Sequence, residues 1–440
     1  MPSKSWHTVS ARITSLDSLR GVGILGILAV HVQWFASVTA ARFNPTVYGD
    51  LGGANWWVWF AAYTLADGKF VSIFGMLFGA GIVILAARSQ IPESSVARLH
   101  YRRMAALFIL GLAHAYLLWY GDFLAPFAVC GSVAFLYRDL SPRRLGALGI
   151  LLLAIGAVLP LALSAAALRW DANTLAKAQE YWAPSREVVA WEIERYRSGW
   201  WGQMPHRVPT ALMLETFHLA VRGLWQGTGL MLLGMALFKL RVLSAVLPLK
   251  IYLAMIAIGF GVGIPLIVYG VSHSSTHRWE LRDYILVGDQ LNYWGALFVA
   301  FGWMGTALFF CRRGRHLRAL AAVGRTALSN YLMQSVICTT IFYGHGLGLF
   351  GRVDRVGQLT LVVSIWTVEI AASWLWLRHF SAGPVEWVWR SATYGRWLRF
   401  RLHDPAAIDN DDPASAKPRR SRSPGQNETR PAAIDHELPG

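Results

Sequence analysis

The sequence predicts an all-α fold: a polytopic transmembrane helix bundle of about 10 spans, with both termini in the cytoplasm. Three observations carry this reading. The 440 residues are 55% hydrophobic and only 15% charged, against about 25% charged in an average soluble domain. The apolar residues gather in blocks of about 20, the length that crosses ~30 Å of hydrocarbon. The basic residues fall in alternate short loops between those blocks, as the positive-inside rule requires.

The first block is Gly21–Ala40. The 1–20 segment before it is too long, and with Asp17 too acidic, for a signal-peptide n-region. The small residues Ala36 to Ala41 would suit cleavage, but a retained span is the preferred reading. The second block, Trp56–Ala87, is too long for one upright span, about 48 Å as a helix. Asp67-Gly68-Lys69 lies inside it and predicts a short outer or re-entrant helix, a break at Gly68, and a span from Phe70. Met104–Tyr120 and Phe123–Tyr137 follow, joined by the tight turn Gly121-Asp122. Then come Leu145–Leu168, Leu212–Phe238, Ile251–Val271, Leu291–Cys311, Ala327–His345 and Leu359–Leu377.

Arg88, Arg98, Arg102 and Arg103 separate blocks two and three. Arg138, Arg143 and Arg144 separate four and five. Lys239, Arg241 and Lys250 separate six and seven, and Arg312, Arg313, Arg315, Arg318 and Arg325 separate eight and nine. These are alternate loops, so all fall on the cytoplasmic side, which favours an even span count. The organisation is then a cytoplasmic N-terminus (1–20), one transmembrane domain (21–402) and a disordered cytoplasmic tail (403–440). An outer loop at 169–211 carries Trp170, Trp182, Trp191, Trp200 and Trp201, a composition suited to helices lying at the interface. The tail is rich in Pro, Ser, Asp and Arg, without apolar period. Its KPRRSRS stretch, Lys417 to Ser423, either touches anionic lipid or is simply solvated.

The net charge of +16 does not indicate a nucleic-acid partner, because the charge is dispersed through loops and no solvated basic face with readout groups is present. Cys130, Cys311 and Cys338 lie in or beside apolar blocks, with neither a disulfide framework nor metal spacing. No metal is expected. GVGILG (Gly21 to Gly26) and GLGLFG (Gly346 to Gly351) match the dinucleotide string but lack its strand–helix context. GMLFG, Gly75 to Gly79, is the small-xxx-small pattern that lets two helices approach.

Polar groups inside apolar blocks mark the candidate site. Asp17 and Arg20, three residues apart, can pair at the start of the first span. His31 lies three helical turns deeper on the same face, about 16 Å along the axis. A neutral imidazole there can act as a general base; the structural reading is an anchored interface and a packing histidine. In GLAHAYLLWYGDFLAPF, Gly111 to Phe127, His114 and Asp122 are spaced to meet. Either they move a proton together or Asp122 caps a turn beside a packed His114. The ninth block holds Arg325, Asn330, Tyr331, Gln334 and Ser335. Asn330 and Gln334 share a helix face, lining a cavity or bonding between helices. Glu386 and Arg390 are spaced for a cytoplasmic salt bridge.

RITSLDSLRGVGILGILAVHV, GKFVSIFGMLFGAG, RRMAALFILGLAHAYLLWYGDFLAPFAVCG, GRTALSNYLMQSVICTTIFYGHGLGLFG and HFSAGPVEWVWRSATYG resemble, in this order, the blocks of the YeiB family of bacterial multi-pass membrane proteins. The likeness runs from about Arg12 to Arg396 and implies the bacterial inner membrane. That family is a domain of unknown function. The first span is also similar to that of the transmembrane acyltransferase superfamily, which includes acyltransferase-3 O-acetylases and heparan-α-glucosaminide N-acetyltransferase. There an Arg opens the span and a His follows at a spacing like Arg20 to His31, with the His implied in transfer from acyl-CoA. Many YeiB-like sequences carry Asn in place of His31, so here the chain departs toward the acyltransferase pattern.

Two functions follow as expectations. The first is an acyltransferase taking an acetyl or other acyl group from cytoplasmic acyl-CoA to an envelope glycan, lipid or small-molecule acceptor. Arg20, Asp17, Lys69, Arg102, Arg103 and Arg325 would form the binding mouth, His31, His114 and Asp122 would move protons, and Asn330 and Gln334 would orient the thioester. The second is a proton-coupled transporter using His114, Asp122 and the Asp67–Lys69 break. A purely structural membrane partner is the third reading. The lipid bilayer is a partner in all three.

Overall fold

Helices account for every extended element among the described residues, and the one other pairing there is an isolated bridge between Phe380 and Arg401. The computed structural model describes residues 13–87, 93–167, 172–314 and 317–401, all within the compact unit Met1–His403. The N-terminal dozen residues, Arg88, Trp170, Arg315 and the tail with its KPRRSRS stretch lie outside the described residues.

The elements in chain order are α1 (Thr14–Ala36), α2 (Ala54–Leu65), α3 (Lys69–Ala86), α4 (Glu93–Ala113), α5 (Leu124–Ala134), α6 (Pro142–Ala167), α7 (Ala172–Trp182), α8 (Arg186–Arg197), α9 (Met204–Met213), α10 (Leu224–Lys239), α11 (Leu249–Thr276), α12 (Leu281–Asp283), α13 (Asp289–Arg312), α14 (Arg318–Arg325), α15 (Ala327–Phe342), α16 (Arg355–Trp376) and α17 (Pro384–Tyr394). By length and composition six stretches can cross a membrane: Thr14–Ala36, Ala54–Ala86, Pro142–Ala166, Leu249–Thr276, Leu281–Arg312 and Arg355–Trp376. The protein is a helical, multi-pass membrane protein. Arg98, Arg102 and Arg103, expected in a loop, lie on the first turns of α4. Arginine is a good helix former, and its long stem lets the charge leave an apolar surface.

The break at Gly68 is present. Gly68 has φ +76°, and α2 and α3 flank it. A break inside lipid leaves carbonyls without partners, and the chain supplies donors for them. Lys69 Nζ donates to the Tyr63 carbonyl at 2.6 Å and to Asn292 Oδ1 at 2.7 Å. Trp303 Nε1 donates to the Leu65 carbonyl at 2.9 Å.

α1 is the central helix: 78% of its apolar stretch is buried, against 22% for α11 and for α16. It packs on α3, α13, α14, α15 and α16, while α10 joins α3, α5 and α6, and α11 pairs with α13. Small residues set two of these contacts. A Cβ on Gly79 would fall 1.9 Å from the Met231 carbonyl oxygen, and one on Gly324 would fall 1.8 Å from that of Asp17. GMLFG therefore brings α3 against α10, and Gly324 brings α14 against α1, where a Cβ on Gly21 of the first span would fall 1.9 Å from the Leu320 carbonyl oxygen.

The bundle has a basic end, gathering Arg20, Arg103 and Arg325, and a far end closed by α8, α9 and the 343–353 loop. At the far end Glu192 accepts from the amide and hydroxyl of Thr39 at 2.9 and 2.8 Å. Gly344 N donates to the Tyr196 carbonyl at 2.8 Å, and Gly351 N to that of Ala36 at 2.7 Å. The described part of that outer segment, 172–211, is largely helical, as its composition suggested.

Candidate functional site

Among the described residues three π-helical segments interrupt the bundle, and one of them spans His114–Leu118 at the end of α4. Such turns add a residue to the ladder and re-aim a side chain, often at a functional site. Here the chain then folds back through Gly121 and Asp122 into α5. Asp122 Oδ2 accepts from Ala125 N at 2.8 Å, capping α5, while Oδ1 lies 2.8 Å from His114 Nδ1. The capping and pairing readings of Asp122 are therefore both realised, one by each oxygen.

On its other side, His114 Nε2 lies 2.8 Å from Ser335 Oγ on α15. All three side chains are buried. With Asp122 ionised, Nδ1 carries the proton and Nε2 accepts from the serine hydroxyl. The carboxylate fixes the tautomer and the imidazole can then take the hydroxyl proton. This is the geometry of an activated nucleophile or of a proton relay.

His31 sits next to this relay, held by rings. Its centroid is 4.9 Å from Trp119, 5.0 Å from Trp34, 5.3 Å from Phe123 and 6.4 Å from Tyr331. Trp119 and Tyr331 also flank His114, at 6.4 and 5.0 Å. The two histidines thus share an aromatic box on α1, α15 and the α4–α5 turn.

Cavities from both ends approach this box, besides a smaller one of about 100 Å³ lined by Trp34, Asp122 and Phe123. One, of about 280 Å³, opens at the basic end; Asp17, Arg20, Arg103, Arg325 and Glu386 line its mouth, and Phe123 and Tyr331 its depth. Arg20 is paired with Asp17 at 3.0 Å, as the sequence spacing indicated. The other, of about 200 Å³, lies at the far end, lined by Gln33, Trp34, Arg42, Asp50, Trp59, Asp67, Arg355 and Gln358 among others. The Arg42 guanidinium covers Trp34 at 3.4 Å.

Not every candidate residue joins the site. Lys69 closes the helix break and lines neither cavity. Arg102 is exposed and reaches toward the Ala392 carbonyl. Asn330 donates to Thr326 Oγ1 and Ser373 Oγ, and Gln334 to the Ile24 carbonyl and Glu369 Oε2, all on the face of α15 turned to α14, α16 and α1. The site face of α15 is one residue further on, with Tyr331 and Ser335. Tyr331 and Ser335 are themselves four apart, a signal equal to that of Asn330 and Gln334 but less conspicuous in residue type. Glu386 differs from expectation. Instead of turning to Arg390 it accepts from the amides of Leu328 and Ser329, at 2.6 and 3.2 Å, and from the Ser329 hydroxyl. The unsatisfied amides at the start of α15 are the stronger partners.

A family model described as a protein of unknown function (DUF418) matches residues 237–396. The chain is 32% identical over 393 residues to the uncharacterized protein YeiB of Escherichia coli (strain K12), covering 87% of this chain and 96% of that relative. The chain belongs to the YeiB family. Another member, the uncharacterized protein YxaH of Bacillus subtilis (strain 168), is 30% identical over 419 residues, covering 88% of this chain and 95% of its own length. No solved structure matches. In this YeiB-family chain the matched DUF418 region contributes Tyr331, Ser335 and Arg325, while His31, His114 and Asp122 precede it.

Proposed function

We propose that this protein is a bacterial inner-membrane acyltransferase that moves an acyl group from cytoplasmic acyl-CoA to an acceptor entering from the outside. The proposed topology has ten spans with both termini cytoplasmic, which makes the basic end cytoplasmic. The observation that carries the reading is the Ser335–His114–Asp122 relay standing one ring, Tyr331, behind an arginine-lined cavity. Arginine forks suit the phosphates of CoA.

In the proposed reaction Ser335 Oγ attacks the thioester carbonyl as His114 Nε2 takes the hydroxyl proton. The C–S bond breaks and the proton passes to the leaving CoA thiolate. An acceptor hydroxyl or amine then attacks the acyl-serine, His114 removes its proton, and Ser335 recovers it. Asp122 holds the imidazole tautomer throughout. His31 borders both cavities through its aromatic neighbours and is the second candidate base, the one the direct, single-step route would use. Tyr331 must swing aside to admit the thioester. The far-end cavity, with Arg42, Asp67 and its tryptophans, is the proposed acceptor entrance.

The test is thermal unfolding of detergent-purified protein with and without acetyl-CoA. A ligand that binds only the folded state stabilises by about 2.7 kcal/mol at a hundredfold excess over its Kd. Wild type and Arg102→Ala, which leaves the cavity intact, are expected to shift upward. Arg20→Ala and Arg325→Ala are expected to shift less. No shift with acetyl-CoA or longer acyl-CoAs in wild type sinks the reading. One observation then favours a proton-coupled transporter instead: cavities from opposite ends border the same aromatic box.

A further inference from the structure

At the far end of α11, His273 and His277 stand one helical turn apart with ring centroids 4.1 Å from each other. Asp283, on α12 across the turn, brings Oδ1 to 3.9 Å from His273 Nε2. One ligand atom from each of the three side chains lies within 4.8 Å of the others, the one such group of three among the described residues. A tetrahedral ion with bonds of about 2.0–2.1 Å spaces its ligands by roughly 3.4 Å. Small rotations of these partly exposed side chains close the difference.

Two details suit a cation. His277 Nδ1 lies 2.9 Å from the His273 carbonyl oxygen. With that nitrogen donating, Nε2 keeps its lone pair, the tautomer a metal-ligating histidine adopts. His273 Nε2 is shielded from solvent and has no hydrogen-bond partner.

The bracketed turn gives the ion something to hold. Arg278 and Trp279 have φ of +50° and +56°, a left-handed conformation that side chains other than glycine rarely adopt. Trp279 nevertheless occupies a fixed position. Its carbonyl accepts from Trp182 Nε1 at 2.8 Å, and its ring meets Trp59, a wall of the far-end cavity, at 5.6 Å.

We propose that His273, His277 and Asp283 form a site for a divalent transition-metal ion of the zinc class, which clamps α11 to α12 and sets Trp279 against the far-end cavity. Two imidazoles and one carboxylate are zinc ligands rather than a calcium or magnesium cage, and three protein ligands leave a fourth position for water. The inference is independent of the acyltransferase reading.

The full-length, untagged protein, stripped by chelator in detergent, is titrated with Zn²⁺ and separately with Co²⁺. Wild type is expected to bind one equivalent more zinc than the His273→Ala/His277→Ala double variant and to give cobalt visible bands of low coordination number. Zinc should raise the wild-type melting temperature reversibly, with chelator undoing the shift. Asp283→Asn, close in size, keeps the fold testable should the double variant unfold, and is expected to bind at least about tenfold more weakly. Equal zinc binding by wild type and either variant overturns the proposal, as does stabilisation by calcium but not by zinc.

Discussion

His114 and Asp122, from one helix–turn segment, meet Ser335 from a distant helix through two contacts of 2.8 Å. If this relay performs the transfer, Ser335→Ala abolishes a covalent acyl-protein adduct detectable by peptide mass spectrometry. His114→Asn should lower turnover by about 10²–10⁴-fold, the usual contribution of a positioned acid–base group. Asp122→Asn should lower turnover and also weaken the α4–α5 turn, because its carboxylate holds both His114 and the Ala125 amide. Turnover that survives Ser335→Ala but not His31→Ala would reassign the chemistry to the direct route. His114 and Asp122 were legible in the sequence because ionisable groups are rare in apolar blocks. Ser335 stood out with its block but without a role, since serine is common in membrane helices and bonds its own backbone there. The choice between adjacent faces of α15, which decides for Tyr331 and Ser335 over Asn330 and Gln334, depends on helix rotation that no single-block pattern contains.

Helices here are fixed by backbone contact as much as by side chains. Gly79→Ala places a Cβ 1.9 Å from the Met231 oxygen, so it should lower stability by about 1–3 kcal/mol, the usual cost of overpacking. Gly81 has nothing near its Cβ position, so Gly81→Ala should be neutral or gain up to about 1 kcal/mol in helix propensity. Thermal unfolding of the two variants side by side checks this. Glu386→Gln loses a charge-assisted cap on α15, expected to cost about 1 kcal/mol. In the α8–α9 cap, His206 lies 3.0 Å from the Tyr196 hydroxyl and 3.4 Å from Glu192. Burial holds its pKa below the ordinary value, with Glu192 opposing. A base favoured neutral in the folded state loses stability as pH falls through about 6.5, where the unfolded chain takes up the proton first. Wild type should therefore destabilise more steeply than His206→Gln between pH 7.5 and about 5.5. Sequence patterning located the helical blocks and the Gly68 break well, because hydropathy and glycine conformations are local. It missed the destination of Glu386, because a capping partner 58 positions away in the chain leaves no local trace.

Across the whole molecule, the alternation of basic loops is the ground of the proposed topology. Exposed Trp201 and the exposed Arg241 lie on opposite sides in the proposed topology. In intact cells with the native cysteines replaced, Trp201→Cys should react with a membrane-impermeant thiol reagent, and Arg241→Cys only after permeabilisation. The reverse pattern would invert the topology. The central place of α1 also bears on how the chain is made. This helix leaves the ribosome before the other described helices, yet α14, α15 and α16, which cover its Asp17 and His31 faces, begin at residue 318. At about 5–20 residues per second the wait is roughly 15–60 s. During that interval His31 stands in the span, and the Asp17–Arg20 pair at its end, without the helices that finally cover them. Retention by the insertion machinery, rather than early release into lipid, is the biosynthetic route such a helix requires.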